Sequence, residues 1–145
     1  MDGKEKVARK IRSMKKYVDF LRSCQPVTKE GLEEDYALRS AIERNLHLAI
    51  ESALDIGEVI ISAEDFEKPE DYRSVILILG KHNVIPRDFA ERFAEAAKFR
   101  NILVHMYAEV DVELVYEILQ NNLGDFGEFA KYIARYIMNL EKEEE

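Results

Sequence analysis

Residues 86–107, PRDFAERFAEAAKFRNILVHMY, are the stretch of this 145-residue chain that most clearly indicates its fold. Apolar side chains recur in it mostly at intervals of three or four residues, the spacing of one face of an α-helix. Pro86 stands at the start, where its missing N–H costs little in a first helical turn. The stretch therefore predicts a helix that packs by one face. Its apolar positions are Phe89, Phe93, Ala96, Ala97, Ile102, Leu103 and Met106.

The N-terminal part of the chain predicts two further helices. The first is amphipathic and ends near Cys24, because Gln25-Pro26 disfavours its continuation. The second begins at Thr28, a residue type that caps helix N-termini, and runs to Ile60 as one long helix. Its wide apolar stripe indicates packing against several neighbours. The apolar positions are Val7, Ile11, Met14, Val18 and Leu21, then Leu32, Tyr36, Leu38, Ile42, Leu46, Ala49, Ile50, Ala53, Leu54, Ile56, Val59 and Ile60.

The segment between the long helix and Pro86 is short and less decisive. Residues 67–70 form a linker, and residues 75–79 are continuously apolar, which suits either a short helix or a strand. A helix is preferred, because residues 69–71 supply a helix start and Gly80 supplies a stop.

The last predicted helix begins at Asp111 as its N-cap and runs to about Leu140. Gly124 and Gly127 interrupt it, and each costs up to about 1 kcal/mol relative to alanine in a helix interior. A bend or a close helix crossing is therefore expected there.

These segments predict an all-α, up-and-down bundle of about five helices in one domain across residues 1–145. The hydrophobic content of 47% is enough for a core.

No apolar run approaches the roughly 18–20 residues of a membrane span, and no apolar signal segment opens the chain. A single cysteine, Cys24, fits a reducing compartment, so a cytoplasmic location is expected. No His/Cys spacing suggests a metal site, and no cofactor is expected.

The net charge of −8 is unevenly distributed. The first 22 residues hold eight positive and three negative side chains, a net +5, which leaves −13 for the remainder. The basic first helix is suited to a phosphate backbone or an acidic partner. An ordinary solvated helix face explains the same pattern equally well.

Three polar residues near the end of the quoted stretch can support chemistry. Arg100 can hold a phosphate and stabilise the charge that builds during phosphoryl transfer. His105 can transfer a proton near neutral pH. Asn101 lies four residues before His105 and shares its helix face, so its amide can orient the histidine or the phosphate.

The spacing also raises a geometric difficulty. Arg100 and His105 are about 140° apart around one helix, at about 100° per residue. Either the long arginine curls back toward the histidine, or a two-fold dimer brings both copies into one cleft.

Arg100, four residues, His105, one residue and Tyr107 read as R-x4-H-x-Y, which resembles the signature of the HEPN superfamily of helical ribonucleases. More narrowly, the motif resembles the HepT toxins encoded beside minimal nucleotidyltransferase antitoxins, with a span of roughly residues 39–138. Asn101 directly after the arginine strengthens the likeness. The resemblance implies a homodimer that cleaves RNA without a metal, with Arg100 and His105 in the dimer cleft. It also implies a type VII toxin–antitoxin system in which the cognate nucleotidyltransferase attaches AMP to Tyr107.

Other interpretations remain open at this point. The chain can instead be a non-catalytic helical partner of a minimal nucleotidyltransferase that binds its substrate or nucleotide, or a structural dimerisation domain. Tyr107 can also be a packing or base-stacking residue.

Residues outside the motif give weaker indications. His47 is interpreted as structural and His82 as a surface residue in a turn. Arg39, Glu43 and Arg44 suit surface pairs on the long helix, and Arg39 or Glu43 is also placed to brace the motif.

Overall fold

The computed structural model describes residues 1–104 and 111–144, and within these ranges the chain is all-α, with no strand. The all-α prediction is confirmed, with seven helices in the described residues rather than about five. They are α1 (Lys4–Ser23), α2 (Lys29–Glu34), α3 (Tyr36–Ala63), α4 (Tyr72–Lys81), α5 (Arg87–Val104), α6 (Val112–Asn121) and α7 (Gly124–Glu144).

The predicted second helix is divided at Asp35. Thr28 caps α2 as expected, since its hydroxyl accepts a hydrogen bond from the backbone N–H of Gly31 at 2.9 Å. Asp35 has extended backbone angles and caps α3, accepting from the N–H of Leu38 at 3.0 Å. Its carboxylate therefore starts a new helix where a continuous one was predicted.

The predicted last helix is also divided, between α6 and α7. Asp111 caps α6 as expected, accepting from the N–H of Glu113 at 3.0 Å. The break falls at residues 122–123, just before Gly124 begins α7. Of the two expected alternatives, this break agrees with a bend. A close crossing is wrong, because a Cβ at Gly124 or Gly127 would meet nothing within 4 Å.

Residues 75–79 are helical, as preferred over a strand. Asp71 and Ser74 form a capping box at the start of α4, in which the Ser74 N–H donates to the Asp71 carboxylate at 2.7 Å. At the other end of α4, His82 stacks on Phe66 with the ring centroids 3.9 Å apart. Hydrogen bonds from Lys81 and His82 lower the pKa of Glu67 to about 2. The linker of residues 67–70 therefore leads into the N-terminal end of α4 and, through Glu67, also contacts its C-terminal end.

Helix α3 is the centre of the bundle, and α1, α4 and α5 pack against it. Most of its apolar stripe is buried, which fulfils the expectation of several neighbours. An aromatic cluster of Phe89, Phe93, Phe126 and Phe129 joins α5 to α7. This packing fixes α5, and with it Arg100, against the middle of α3.

None of the described helices combines the length and the hydropathy needed to span a bilayer.

The position of α5 depends on a close contact between Gly80 of α4 and Ala90 of α5. A Cβ there would lie 2.6 Å from the Ala90 Cβ, so Gly80→Ala should lower the free energy of unfolding by about 1–3 kcal/mol. Gly127→Ala is the matched control and should raise it by up to about 1 kcal/mol, because the site is helical and open. Urea denaturation followed by circular dichroism measures both. Stabilisation by both substitutions would contradict the close approach of α4 and α5.

Candidate active site

Arg100 lies on the face of α5 that meets α3. Its side chain is only 16% exposed, and its Nε donates a short hydrogen bond to Oε1 of Glu51 in the middle of α3. The two residues are 49 positions apart in sequence, so the contact depends on the tertiary packing of the two helices. Because both side chains are partly buried, with 16% and 29% exposed, salt screens this pair less than it screens a fully exposed ion pair.

A third helix also contacts the guanidinium. The Arg100 Cζ lies 4.2 Å from the ring centroid of Tyr72, the first residue of α4, which is a cation–π arrangement. Glu51 therefore holds the guanidinium by its edge and Tyr72 holds it by its face. Together they restrict both the position and the plane of the group.

This arrangement leaves the outer edge of the guanidinium to other partners. Glu51 takes the Nε–H, and Nη1 lies 3.4 Å from Oδ1 of the neighbouring Asn101, its one hydrogen-bond contact within residues 1–104 and 111–144. The Nη1–Nη2 edge is the fork that binds two oxygens of a phosphate. Arg100 is thus fixed by α3 and α4 with an edge suited to an oxyanion.

Glu51 also connects Arg100 to His47. The same carboxylate oxygen lies 3.3 Å from Nε2 of His47, and Nδ1 of His47 lies 3.4 Å from an Nη of Arg44. Arginine only donates hydrogen bonds, so Nδ1 must accept and the proton must sit on Nε2. A line of polar groups therefore runs along α3 from Arg44 to Glu51 and then crosses to Arg100.

The predicted site residues are only partly brought together. Arg100 and Asn101 are in contact, and Asn101 is exposed. His105 and Tyr107 lie outside the described residues, so their predicted roles stay predictions. Ile102, assigned to the apolar stripe, is 47% exposed at the surface of α5.

The residues that hold Arg100 differ from those expected. Arg39 and Glu43 pair with each other at 3.9 Å, but this pair does not lie on the surface as expected, because the two side chains are only 15% and 14% exposed. Burial raises the pKa of Glu43. The residue that holds Arg100 is Glu51. Its only local sequence signal was a polar pair, His47 and Glu51 at i and i+4, on the same long helix.

Comparison with known proteins agrees with this fold. The family model described as "Ribonuclease HepT-like" matches residues 14–133. The mRNA nuclease HepT of Shewanella oneidensis is 26% identical over 129 residues, covering 88% of this chain and 95% of that protein. The tRNA nuclease HepT of Aphanizomenon flos-aquae is 25% identical over 128 residues, covering 88% and 87%.

A solved structure shows the same fold. The tri-AMPylated HEPN toxin of Shewanella oneidensis, in complex with MNT antitoxin, superposes with a TM-score of 0.81 at 23% identity, over 89% of this chain and 96% of that one. The resemblance drawn from residues 100–107 is thereby confirmed, because a family model covering most of the chain matches. This chain belongs to the ribonuclease HepT-like family.

Proposed function

We propose that this chain is the toxin of a type VII toxin–antitoxin pair and an endoribonuclease that cuts RNA without a metal ion. The ribonuclease class follows from its family. The observation that best supports the chemistry is Arg100, held by Glu51 and Tyr72 with its Nη1–Nη2 edge unused by Glu51. A surface arginine without a role does not need two helices to fix its plane.

In the proposed reaction the ribose 2′-OH attacks the adjacent phosphorus. His105 removes the 2′ proton while water protonates the departing 5′ oxygen, or His105 protonates the 5′ oxygen while water takes the 2′ proton. Arg100 binds two phosphate oxygens and stabilises the charge of the five-coordinate transition state, and Asn101 orients the histidine or the phosphate. The bond between phosphorus and the 5′ oxygen breaks, which gives a 2′,3′-cyclic phosphate and a 5′-hydroxyl.

The mechanism is tested with a single-stranded RNA and a matched oligonucleotide in which the nucleotides at the mapped cleavage sites are 2′-deoxy. The RNA should be cut equally well with and without EDTA, and the deoxy-substituted strand should stay intact at those sites. The products should carry the cyclic phosphate. Cleavage of the deoxy strand, or loss of activity with EDTA, would refute this mechanism.

The active assembly is proposed to be a homodimer. A shared cleft would resolve the offset of about 140° between Arg100 and His105. The other proposed partners are RNA and a minimal nucleotidyltransferase antitoxin that transfers AMP to Tyr107, and the proposed location is the cytoplasm.

A further inference from the structure

A groove of about 370 Å³ lies between α1 and α3, next to Arg100. The two helices run antiparallel there, since Lys10 of α1 pairs with Asp55 of α3 at 2.9 Å and Tyr17 lies further toward Arg44. The groove therefore has a cationic group at either end. Its lining residues are Lys10, Tyr17, Arg44, His47, Leu48, Glu51, Ser52, Asp55 and Arg100.

The charges that face this groove are not all balanced. Asp55 is paired with Lys10, and Glu51 is paired with Arg100. Among the described residues, Arg44 makes no ion pair with a carboxylate, and its contact is with the ring nitrogen of His47. Arg44 is exposed, so this end of the groove presents an uncompensated positive charge to an anion.

The groove also has an aromatic surface. Tyr17 is half-buried on the wall formed by α1, across from the polar line on α3. An aromatic side chain that lines an open groove can stack with a base, and stacking tolerates any base sequence. Arg44 is seven residues before Glu51, which holds Arg100. Arg44 is therefore separated by about 10.5 Å along α3 from the position that holds Arg100.

We propose that this groove binds single-stranded RNA beside the reacting phosphate, with Arg44 on a backbone phosphate and Tyr17 against a base. The proposal rests on the proposed function, since Arg100 is taken to hold the reacting phosphate. The groove combines the two features that single-strand sites use, a cation that follows the backbone and an aromatic platform. His47 and Glu51 connect the phosphate contact to Arg100.

Binding of a fluorescein-labelled single-stranded RNA by His105→Ala protein tests the groove without cleavage. Arg44→Gln should weaken binding by about tenfold and reduce the slope of log K against log salt by about 0.7. Arg44→Lys should recover most of that slope. Tyr17→Leu should weaken binding at least about fivefold, and Tyr17→Phe, which keeps the ring, should recover most of it.

Arg12→Gln is the matched control. Arg12 also lies on α1 and is exposed, but it does not line the groove, so its loss should change binding far less than the loss of Arg44. Circular dichroism and thermal denaturation confirm that each variant is folded. In cleavage assays, Arg44→Gln should raise KM and leave kcat close to the wild-type value.

The outcomes separate this proposal from the proposed function. If the wild-type protein cuts RNA but Arg44→Gln and Tyr17→Leu bind it as Arg12→Gln does, the groove proposal is overturned and the ribonuclease stands. If these substitutions impair only binding of the nucleotidyltransferase, the groove is a protein interface and the proposal is overturned. If the wild-type protein binds RNA through Arg44 and Tyr17 but cuts none, the proposed reaction fails instead.

Discussion

Arg100→Ala should reduce the rate of RNA cleavage by about 10²- to 10³-fold, the usual effect of removing one preorganised donor to a developing oxyanion. Arg100→Lys should recover little of this loss. Lysine is a point charge that cannot bind two phosphate oxygens with a planar fork, and it cannot keep the contacts with both Glu51 and Tyr72. Cleavage rates at saturating RNA measure both variants, and His105→Ala should show a loss at least as large.

Arg92→Ala is the matched control for Arg100→Ala. Arg92 is also an arginine on α5 with carboxylate partners, Asp125 and Glu128, but it is 53% exposed. Its removal should change cleavage little and stability by at most about 1 kcal/mol. Wild-type activity in a folded Arg100→Ala protein would exclude Arg100 from the reaction and favour the docking-partner interpretation.

Glu51→Ala supplies a second comparison, since Glu51 acts through Arg100 rather than on the substrate. Loss of the carboxylate frees the guanidinium to rotate, and a displacement of about 1 Å can cost on the order of 10²-fold in rate. Glu51→Gln keeps an acceptor oxygen for the Arg100 Nε–H, so it should recover part of the activity. Equal losses with both substitutions would indicate that charge, and not position, is what Glu51 contributes.

Local signals in the sequence were sufficient for most of the fold. Thr28 and Asp111 cap helices where expected, because a cap depends on a side chain and the two or three residues after it. Asp35 carries the same signal, but the apolar stripe continued through Tyr36 and favoured one long helix. Tyr36 is 74% exposed, so it never belonged to the buried stripe.

The site was less accessible to sequence reasoning than the fold. Arg100 and Asn101 were found because they lie in one short motif. Glu51 and Tyr72 were missed because they reach Arg100 only after α3, α4 and α5 pack together, and no local pattern encodes that packing. The alternative brace, Glu43 or Arg39, was on the correct helix but about two or three turns too early, respectively, where the two residues pair with each other.

Incubation with ATP and the cognate nucleotidyltransferase should add one or more AMP groups to the chain, first at Tyr107, and abolish RNA cleavage. Tyr107 follows the proposed catalytic His105 by two residues, so an attached adenylate would bring a bulky nucleoside and a negative phosphate to the site. Both oppose binding of an RNA phosphate, the first by occupying space and the second by repulsion. The loss of activity should therefore be nearly complete.

Intact-mass spectrometry with peptide mapping locates the modification, and cleavage assays on the same samples measure its effect. Tyr107→Phe should remain unmodified at this position, keep cutting RNA in the presence of the nucleotidyltransferase and ATP, and be more toxic in cells that carry the antitoxin. Tyr36→Phe is the matched control: it removes an exposed tyrosine elsewhere and should be modified and inactivated like the wild type. AMP on other residues only, or activity that survives modification at Tyr107, would leave Tyr107 as a stacking or packing residue. Control of the toxin would then have to act by a route other than an adenylate at Tyr107, such as direct contact with the nucleotidyltransferase.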